Sequence, residues 1–370
     1  MRIAIFHNYL DNIGGAEIVT LTLAQELNAD IYTTNIRPSS IKAMGFAEVL
    51  PRIKSLGRIP KMAPFRQQLA FWKFRRLKLS GQYDFFIIAG DWAMSGAVNN
   101  HPNLWYAHSP LNELWEFKDF IKKNVLSRWK ISPYDKWVAF NRRLTLKYAK
   151  HVDIWICNSQ NTQNRIKKYY NQVAEIIYPP IKANHYPKLE TNNYWLSVNR
   201  LITHKRIDLQ LKAFSSLPKE KLIIVGSYEP GVKQFEGYKA YLEKIKPPNV
   251  EIIHWADSQK LAELYAGCKG FITTAENEDF GMTVLEAMAA GKPVIAPNEG
   301  GYQESVTKKT GVLITEITPE KLAIEIQKMT DDLNIQPLKY QANCLARAQE
   351  FGVEVFIDKI RKAINNFKSL

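Results

Sequence analysis

The sequence predicts an α/β protein built from two Rossmann-like, doubly wound domains facing a central cleft. Three observations carry the prediction. Short β-branched runs alternate with longer helical ones over residues 1–180, the stiff segment Tyr178-Pro179-Pro180-Ile181 interrupts them, and a second alternation of similar length follows. Such alternation implies parallel strands joined by right-handed crossovers. The carboxyl ends of a parallel sheet form its binding edge, so two sheets that face each other share one site.

In the first half, strands are expected at Arg2–Phe6, Asp30–Thr33, Asp84–Ala89, Leu104–Ala107, Asp153–Cys157 and Glu175–Tyr178. Helical periodicity fills Ala16–Leu27, Trp137–Lys150 and Asn161–Tyr170. The Pro-Pro step and the polar stretch Lys182–Asn193 after it continue neither element, and the domain boundary belongs there. In the second half, strands are expected at Trp195–Val198, Leu222–Val225, Val250–His254, Gly270–Thr274, Pro293–Ala296 and Val312–Ile314. Helices are expected at Asp208–Ser216, Gln234–Lys246, Ser258–Gly267, Met282–Ala290 and Pro319–Asp332. Leu338–Phe367 reads as a long amphipathic helical region whose final part packs back on the first domain. The expected domains are thus 1–180, with a C-terminal helix at about 352–370, and 181–351.

Composition narrows the class. At 46% hydrophobic and 23% charged, the chain can bury real cores. No apolar run approaches the roughly 18–20 residues that cross a bilayer. The apolar run Ile3–Phe6 is too short for a signal peptide, so a cytoplasmic location is expected. Cys157, Cys268 and Cys344 fall in no metal-ligand spacing and read as small buried hydrophobes in a reducing compartment.

The net charge of +14 is unevenly placed: residues 1–180 hold 25 Lys/Arg against 13 Asp/Glu, and residues 181–370 hold 25 against 23. Pro51–Tyr83 carries Arg52, Lys54, Arg58, Lys61, Arg66, Lys73, Arg75, Arg76 and Lys78 with no acid. Phe65, Leu69, Phe71, Trp72, Phe74 and Leu77 are interleaved with them. This mixture suits the headgroup layer of an anionic membrane, with Phe71, Trp72 and Phe74 settling into it. A solvated basic face over a core helix is the plainer reading. Nucleic acid is not an expected partner, because no recognition motif accompanies the charge.

The chemistry concentrates in Ala275–Ala296, AENEDFGMTVLEAMAAGKPVIA. A strand ends, the chain turns at Gly281, a helix starts at Met282, and Gly291 stops it before the next strand. The free backbone N–H groups near Met282 and Thr283 make a site for a diphosphate. Carboxylates beside it are suited to hydroxyl donors: Glu286 to a ribose diol, and Glu278 at the loop tip to a sugar. Asn199-Arg200-Leu201-Ile202-Thr203-His204-Lys205 brings two cations to a strand end, where Arg200 and Lys205 can clamp a diphosphate and offset charge on a leaving nucleotide.

The glutamate segment resembles the donor-site signature of glycosyltransferase family 4, retaining enzymes of GT-B architecture whose two glutamates are separated by seven residues. Asn8–Glu17 resembles that family's glycine loop after the first strand, where Gly14 and Gly15 let the backbone approach the donor. Trp105-Tyr106-Ala107-His108-Ser109-Pro110-Leu111 and Leu79–Asp84 are most similar to its mannosyltransferase and O-antigen-type members. Asn112 departs from the Arg usual in that subgroup.

The resemblance implies catalytic roles for His108 and Glu278, and donor binding by Gly14, Gly15, Arg200, Lys205, Glu278, Phe280, Gly281, Met282, Thr283 and Glu286. It implies an acceptor-binding first domain, a donor-binding second domain, and a nucleotide-diphosphate sugar as donor, with GDP-mannose favoured over UDP-sugars. The expected acceptor is a glycan or polyprenyl-diphosphate-linked oligosaccharide, which would bring the enzyme to the inner face of the plasma membrane. No Asp-x-Asp metal motif is present, so neither a metal nor another cofactor is expected. With both glutamates assigned to hydroxyls, no carboxylate is left for a double displacement, and a front-face mechanism follows. His108 would orient sugar hydroxyls or steady positive charge through its backbone carbonyl. A nucleotide-sugar epimerase of the same fold and a non-catalytic binding subunit are the alternatives.

Overall fold

Buried runs such as Phe85-Phe86-Ile87-Ile88 cannot sit at a solvated sheet face, and they form the centre of a parallel sheet covered on both sides. The computed structural model describes the chain except for residues 183–185, 188–189, 227–232 and 369–370. It divides into two units, Met1–Pro180 with Glu354–Leu370, and Ile181–Val353.

In the first unit the order is β1 (Ile3–Phe6), α1 (Gly15–Glu26), β2 (Asp30–Thr33), α2 (Pro38–Ala43), a 3₁₀ helix (Ala47–Arg52), β3 (Ile53–Ser55) and α3 (Phe65–Arg76). Then come β4 (Phe85–Ile88), a 3₁₀ helix (Trp92–Asn99), β5 (Asn103–Ala107), α4 (Lys118–Asn124), α5 (Arg128–Ala149), β6 (Ile154–Cys157), α6 (Gln160–Tyr170) and β7 (Glu175–Ile176). The strands pair in parallel in the order β3-β2-β1-β4-β5-β6-β7. The order reverses between β1 and β4, and at such a switch point the loops splay apart and leave a crevice at the carboxyl ends of the strands.

The second unit continues with β8 (Trp195–Val198), α7 (Ile207–Ser215), β9 (Leu222–Val225), α8 (Lys233–Ile245), β10 (Val250–Ile253), α9 (Ser258–Gly267), β11 (Gly270–Ile272) and α10 (Met282–Ala289). It closes with β12 (Val294–Pro297), α11 (Tyr302–Ser305), β13 (Gly311–Ile314), α12 (Pro319–Ile335) and α13 (Gln341–Gln349). Its strands are also parallel, in the order β10-β9-β8-β11-β12-β13, with the switch between β8 and β11. The last helix, α14 (Val353–Lys368), belongs almost wholly to the first unit. It buries Phe356, Ile357, Ile360 and Ile364 there, with Phe356 edge-on to Tyr106.

Several expectations change. The helical region Leu338–Phe367 divides into α13 and α14 at Gly352, where the C-terminal helix at about 352–370 was expected to begin: Phe351 is buried against Phe280, and its carbonyl accepts from Ile181 N–H. Helix α5 starts nine residues before the expected Trp137 and runs through Pro133 in its second turn, despite the lost amide bond and the ring's crowding of the carbonyl four residues back. The short β3, α2, α4 and α11 were not expected, being too brief to show a period. The polar stretch Lys182–Asn193 includes residues 183–185 and 188–189, which lie outside the described residues.

The basic segment also needs correcting. Phe71 and Phe74 do not face a membrane: they are 1% and 0% exposed, packed against Tyr148 and Phe6. Arg66 pairs with the buried Asp11 and lies 3.6 Å above the Tyr9 ring, and Lys73 donates to the Leu56 carbonyl. The helical period separates an inner face from an outer one, and the outer face of α3 carries Phe65, Leu69, Trp72 and Arg76.

Candidate active site

At the β8/β11 switch of the second unit, two loops meet. The loop after β8 becomes a short 3₁₀ turn (Thr203–Lys205), and Thr274 clasps it by donating to the Lys205 carbonyl at 2.8 Å. The loop after β11 is tied back by Glu276 N–H to the His204 carbonyl at 2.8 Å. These ties bring Lys205 Nζ onto Glu278 Oε2 as a half-buried ion pair. Burial pushes the Glu278 carboxyl up, but Lys205, His204 and Arg200 together outweigh it, and its pKa lies below the ordinary value. Glu278 is therefore ionised at neutral pH. His204 is held down to about 4 by burial and by Lys205 and Arg200, so its ring is neutral. Arg200 is exposed.

Gly281 turns the chain into α10 with φ +86, and a Cβ there would meet the Tyr302 ring at 2.4 Å. Both the backbone conformation and the space exclude a side chain. The helix that follows presents the amides of Met282 and Thr283. Phe280 is buried against Phe351, so its ring anchors the loop and only its backbone is left to face a ligand. Glu286 lies in the second turn, where Tyr265 donates its hydroxyl to Oε2 at 2.7 Å. Burial raises the Glu286 carboxyl against that hydrogen bond.

Sequence reasoning missed the brace beneath this loop. Arg206 donates to the carbonyls of Thr274 and Ala275 and pairs with Glu299 at 2.7 Å, while the other Glu299 oxygen accepts from Asn277 N–H at 3.0 Å. Gly300, at φ +59, lets that strand end lie flat on the Glu278 backbone, where a Cβ would come within 2.4 Å of the Glu278 carbonyl. The signal was present: Glu299-Gly300-Gly301 is a glycine pair directly after a strand, as Gly14-Gly15 is after the first.

In the first unit, Gly14 caps α1 and Gly15 opens it. Without a side chain, Gly14 leaves room for the Glu17 carboxylate, which a Cβ would meet at 2.6 Å. Behind this loop two histidines lie close together. His7 accepts from or donates to Thr20 Oγ1 at 3.0 Å and is held down to about 4 by burial. His108 is held down to about 3 by burial and by His7 beside it, and its Nε2 has no hydrogen-bond partner. The His108 carbonyl, however, accepts from Asn158 Nδ2 at 2.8 Å and from Thr162 Oγ1 at 3.3 Å. These bonds fix the strand end that carries the His108 ring. Among the described residues, no three His, Cys, Asp or Glu side chains gather as a metal-binding group.

Residues 13–185 match the model described as Glycosyltransferase Family 4, and residues 181–350 match Glycosyl transferases group 1. The Alpha-1,3/1,6-mannosyltransferase ALG2 of Mus musculus is 24% identical over 398 residues, covering 94% of this chain and 92% of that protein. The protein of the same name from Rhizomucor pusillus is 28% identical over 261 residues, and that match spans 57% of this chain and about half, 54%, of the relative. Among solved structures, Anabaena HepE in complex with UDP and glucose superposes with a TM-score of 0.77 at 19% identity, covering 99% of this chain and 100% of that one.

The histidines make stability pH-dependent. A His whose folded pKa is depressed leaves the unfolded chain binding more protons between the two values, so stability is lost as pH falls. Stability should therefore decline as pH drops from the ordinary 6.5 toward about 4. In urea denaturation at pH 7 and pH 5, His7→Gln should show a smaller loss than wild type, since one titration is removed. An equal loss would mean that His7 is not buried neutral.

Proposed function

Because the chain belongs to glycosyltransferase family 4 and is a glycosyltransferase of the GT-B fold, we propose that it transfers mannose from GDP-mannose to a glycan or lipid-linked glycan, with retention and without a metal. The observation that carries this reading is the Lys205–Glu278 pair beside the start of α10. It combines a cation and helix amides for a diphosphate with an ionised carboxylate for sugar hydroxyls. The mannosyltransferase names among the relatives favour mannose as the sugar. The UDP in the Anabaena structure favours a UDP-sugar as the second reading.

In the proposed reaction the bond between the anomeric carbon and the phosphate oxygen breaks, and the nucleoside diphosphate leaves with the electron pair. Arg200, Lys205 and the α10 amides stabilise that charge. The acceptor hydroxyl attacks the same face, and its proton passes to a phosphate oxygen. In the second unit Glu278 holds hydroxyls of the transferred sugar and Glu286 holds the ribose; in the first unit the neutral His108 ring offers a hydrogen bond to a sugar hydroxyl. The first unit binds the acceptor.

A lipid-linked acceptor confines the enzyme to a membrane surface. No helix among the described residues is long and apolar enough to cross a membrane. The outer face of α3, with Phe65 at 55% exposure, adjoins α5 through Gln68, Trp137 and Asn141, and α5 exposes Trp129 at 74% and Phe140. Exposed Arg76, Lys78, Lys130, Lys136, Arg143 and Lys147 surround these side chains, and we assign this face to an anionic leaflet on the cytoplasmic side.

Three experiments test the reading. Over a panel of nucleotide sugars, GDP-mannose should be consumed fastest, in excess EDTA, and NMR of the product should show the donor's anomeric configuration; inversion, or turnover that requires added Mg²⁺ or Mn²⁺, would overturn it. By calorimetry, Glu286→Gln should weaken donor binding by about 1.5–3 kcal/mol; unchanged affinity would remove the ribose role. The protein should sediment with anionic but not neutral vesicles, less so at high salt. Reversing Arg76, Lys78, Lys136 and Arg143 to Glu should abolish this, and equal sedimentation would leave the face merely solvated.

A further inference from the structure

A glutamate side chain ends in a soft torsion, so an unheld carboxylate presents its two oxygens in many orientations. Glu286, in the second turn of α10, is held. Tyr265, in the last turn of α9, donates its hydroxyl to Glu286 Oε2 at 2.7 Å. Among the described residues this is the only hydrogen bond that either side chain makes.

The hydroxyl is itself fixed, through its ring and its backbone. Tyr265 is 1% exposed, and its ring centroid lies 5.8 Å from that of Phe271 in β11. Tyr186, before β8, stands edge-on to the same ring at 5.8 Å. Tyr194 donates its hydroxyl to the Leu264 carbonyl at 2.9 Å, and Cys268 Sγ donates to the Tyr265 carbonyl at 3.2 Å. A phenylalanine would make the same ring contacts. The phenol oxygen adds one thing, a donor on Glu286.

The other carboxylate oxygen stays open. Glu286 is half-buried, and among the described residues its Oε1 accepts no hydrogen bond and no cation pairs with it. A desolvated carboxylate with one oxygen tied and the other open is a preset acceptor for a hydroxyl. We propose that Tyr265 is a positioning residue of the donor site, whose hydroxyl holds Glu286 Oε2 so that Oε1 meets a ribose hydroxyl of the nucleoside diphosphate. This rests on the ribose reading of Glu286 and names the group that sets the carboxylate's direction. Tyr265 is buried and acts only through Glu286.

The same bond governs the charge of the carboxylate. The titratable groups facing it are Tyr265 of α9 and Tyr186 of the segment before β8. Burial pushes both phenols up, so they stay protonated and only the carboxyl titrates. Burial also raises Glu286, and the Tyr265 hydrogen bond opposes that rise. Without the hydroxyl, Glu286 takes up its proton at higher pH, and nucleotide binding is lost at higher pH as pH falls.

Calorimetry on the full chain tests this, with GDP and UDP and then the 2′-deoxy and 3′-deoxy forms of the tighter one. Tyr265→Phe should weaken the nucleotide by about three- to tenfold. It should also shrink the penalty that wild type imposes on a deoxy form, and move the acid limb of the affinity profile to higher pH. A merely structural role would move neither. In a Glu286→Ala background, adding Tyr265→Phe should change affinity by less than about twofold, because the partner is gone. Glu286→Asp, which keeps the charge but draws it back from Tyr265, should weaken the nucleotide at least as much as Tyr265→Phe, and carries the test should that variant fail to fold. Wild-type affinity and deoxy discrimination in Tyr265→Phe would overturn the proposal while leaving the ribose reading in place. So would an equal loss from Tyr265→Phe with and without Glu286. Unchanged affinity in Glu286→Ala would instead overturn the ribose reading, and the role of Tyr265 with it.

Discussion

The ion pair between Lys205 and Glu278 is the interaction on which the second unit's edge depends. Two charges taken partly out of water gain from each other only when the geometry is fixed in advance. Much of the surrounding structure exists to fix it. Thr274 clasps the turn that carries Lys205, Arg206 and Glu299 hold the loop that carries Glu278, and Gly300 lets a neighbouring strand end lie against that loop. The pair leaves the free protein with its strongest local charges already balanced.

The first unit solves a different problem. Its edge holds groups that are buried without being charged: His7 and His108 stay neutral because burial opposes protonation, and Glu113 is raised with no countercharge. Neutral rings next to a sugar give hydrogen bonds without adding positive charge where an oxocarbenium-like species would form.

The basic excess of the first half has three uses in the structure. Arg66 neutralises a buried acid, Lys73 caps a carbonyl, and Arg75 lies over the Tyr148 ring, while Arg76 and the charges of α5 remain outside. Net charge is a sum over the surface and interior alike, and a run of cations in sequence says nothing about which of them a fold will consume.

The sequence by itself determined the alternation of strands and helices, the break near Pro179-Pro180 and the glutamate segment from Glu278 to Glu286. Each is local: a period of two or 3.6, a proline pair, or a spacing within a single loop and helix. It also showed Arg200, Lys205 and Gly281, whose places at strand ends follow from those periods. Only the tertiary structure decided that Lys205 and Glu278 pair, that Arg206 and Glu299 brace them, and that Phe71 and Phe74 belong to the core while Trp72 does not. It alone engaged the His108 carbonyl with Asn158. The physical reason is common to all of these. Parallel crossovers return the chain to the same sheet edge after dozens of residues, so partners distant in sequence become neighbours there, and no local period records which ones meet.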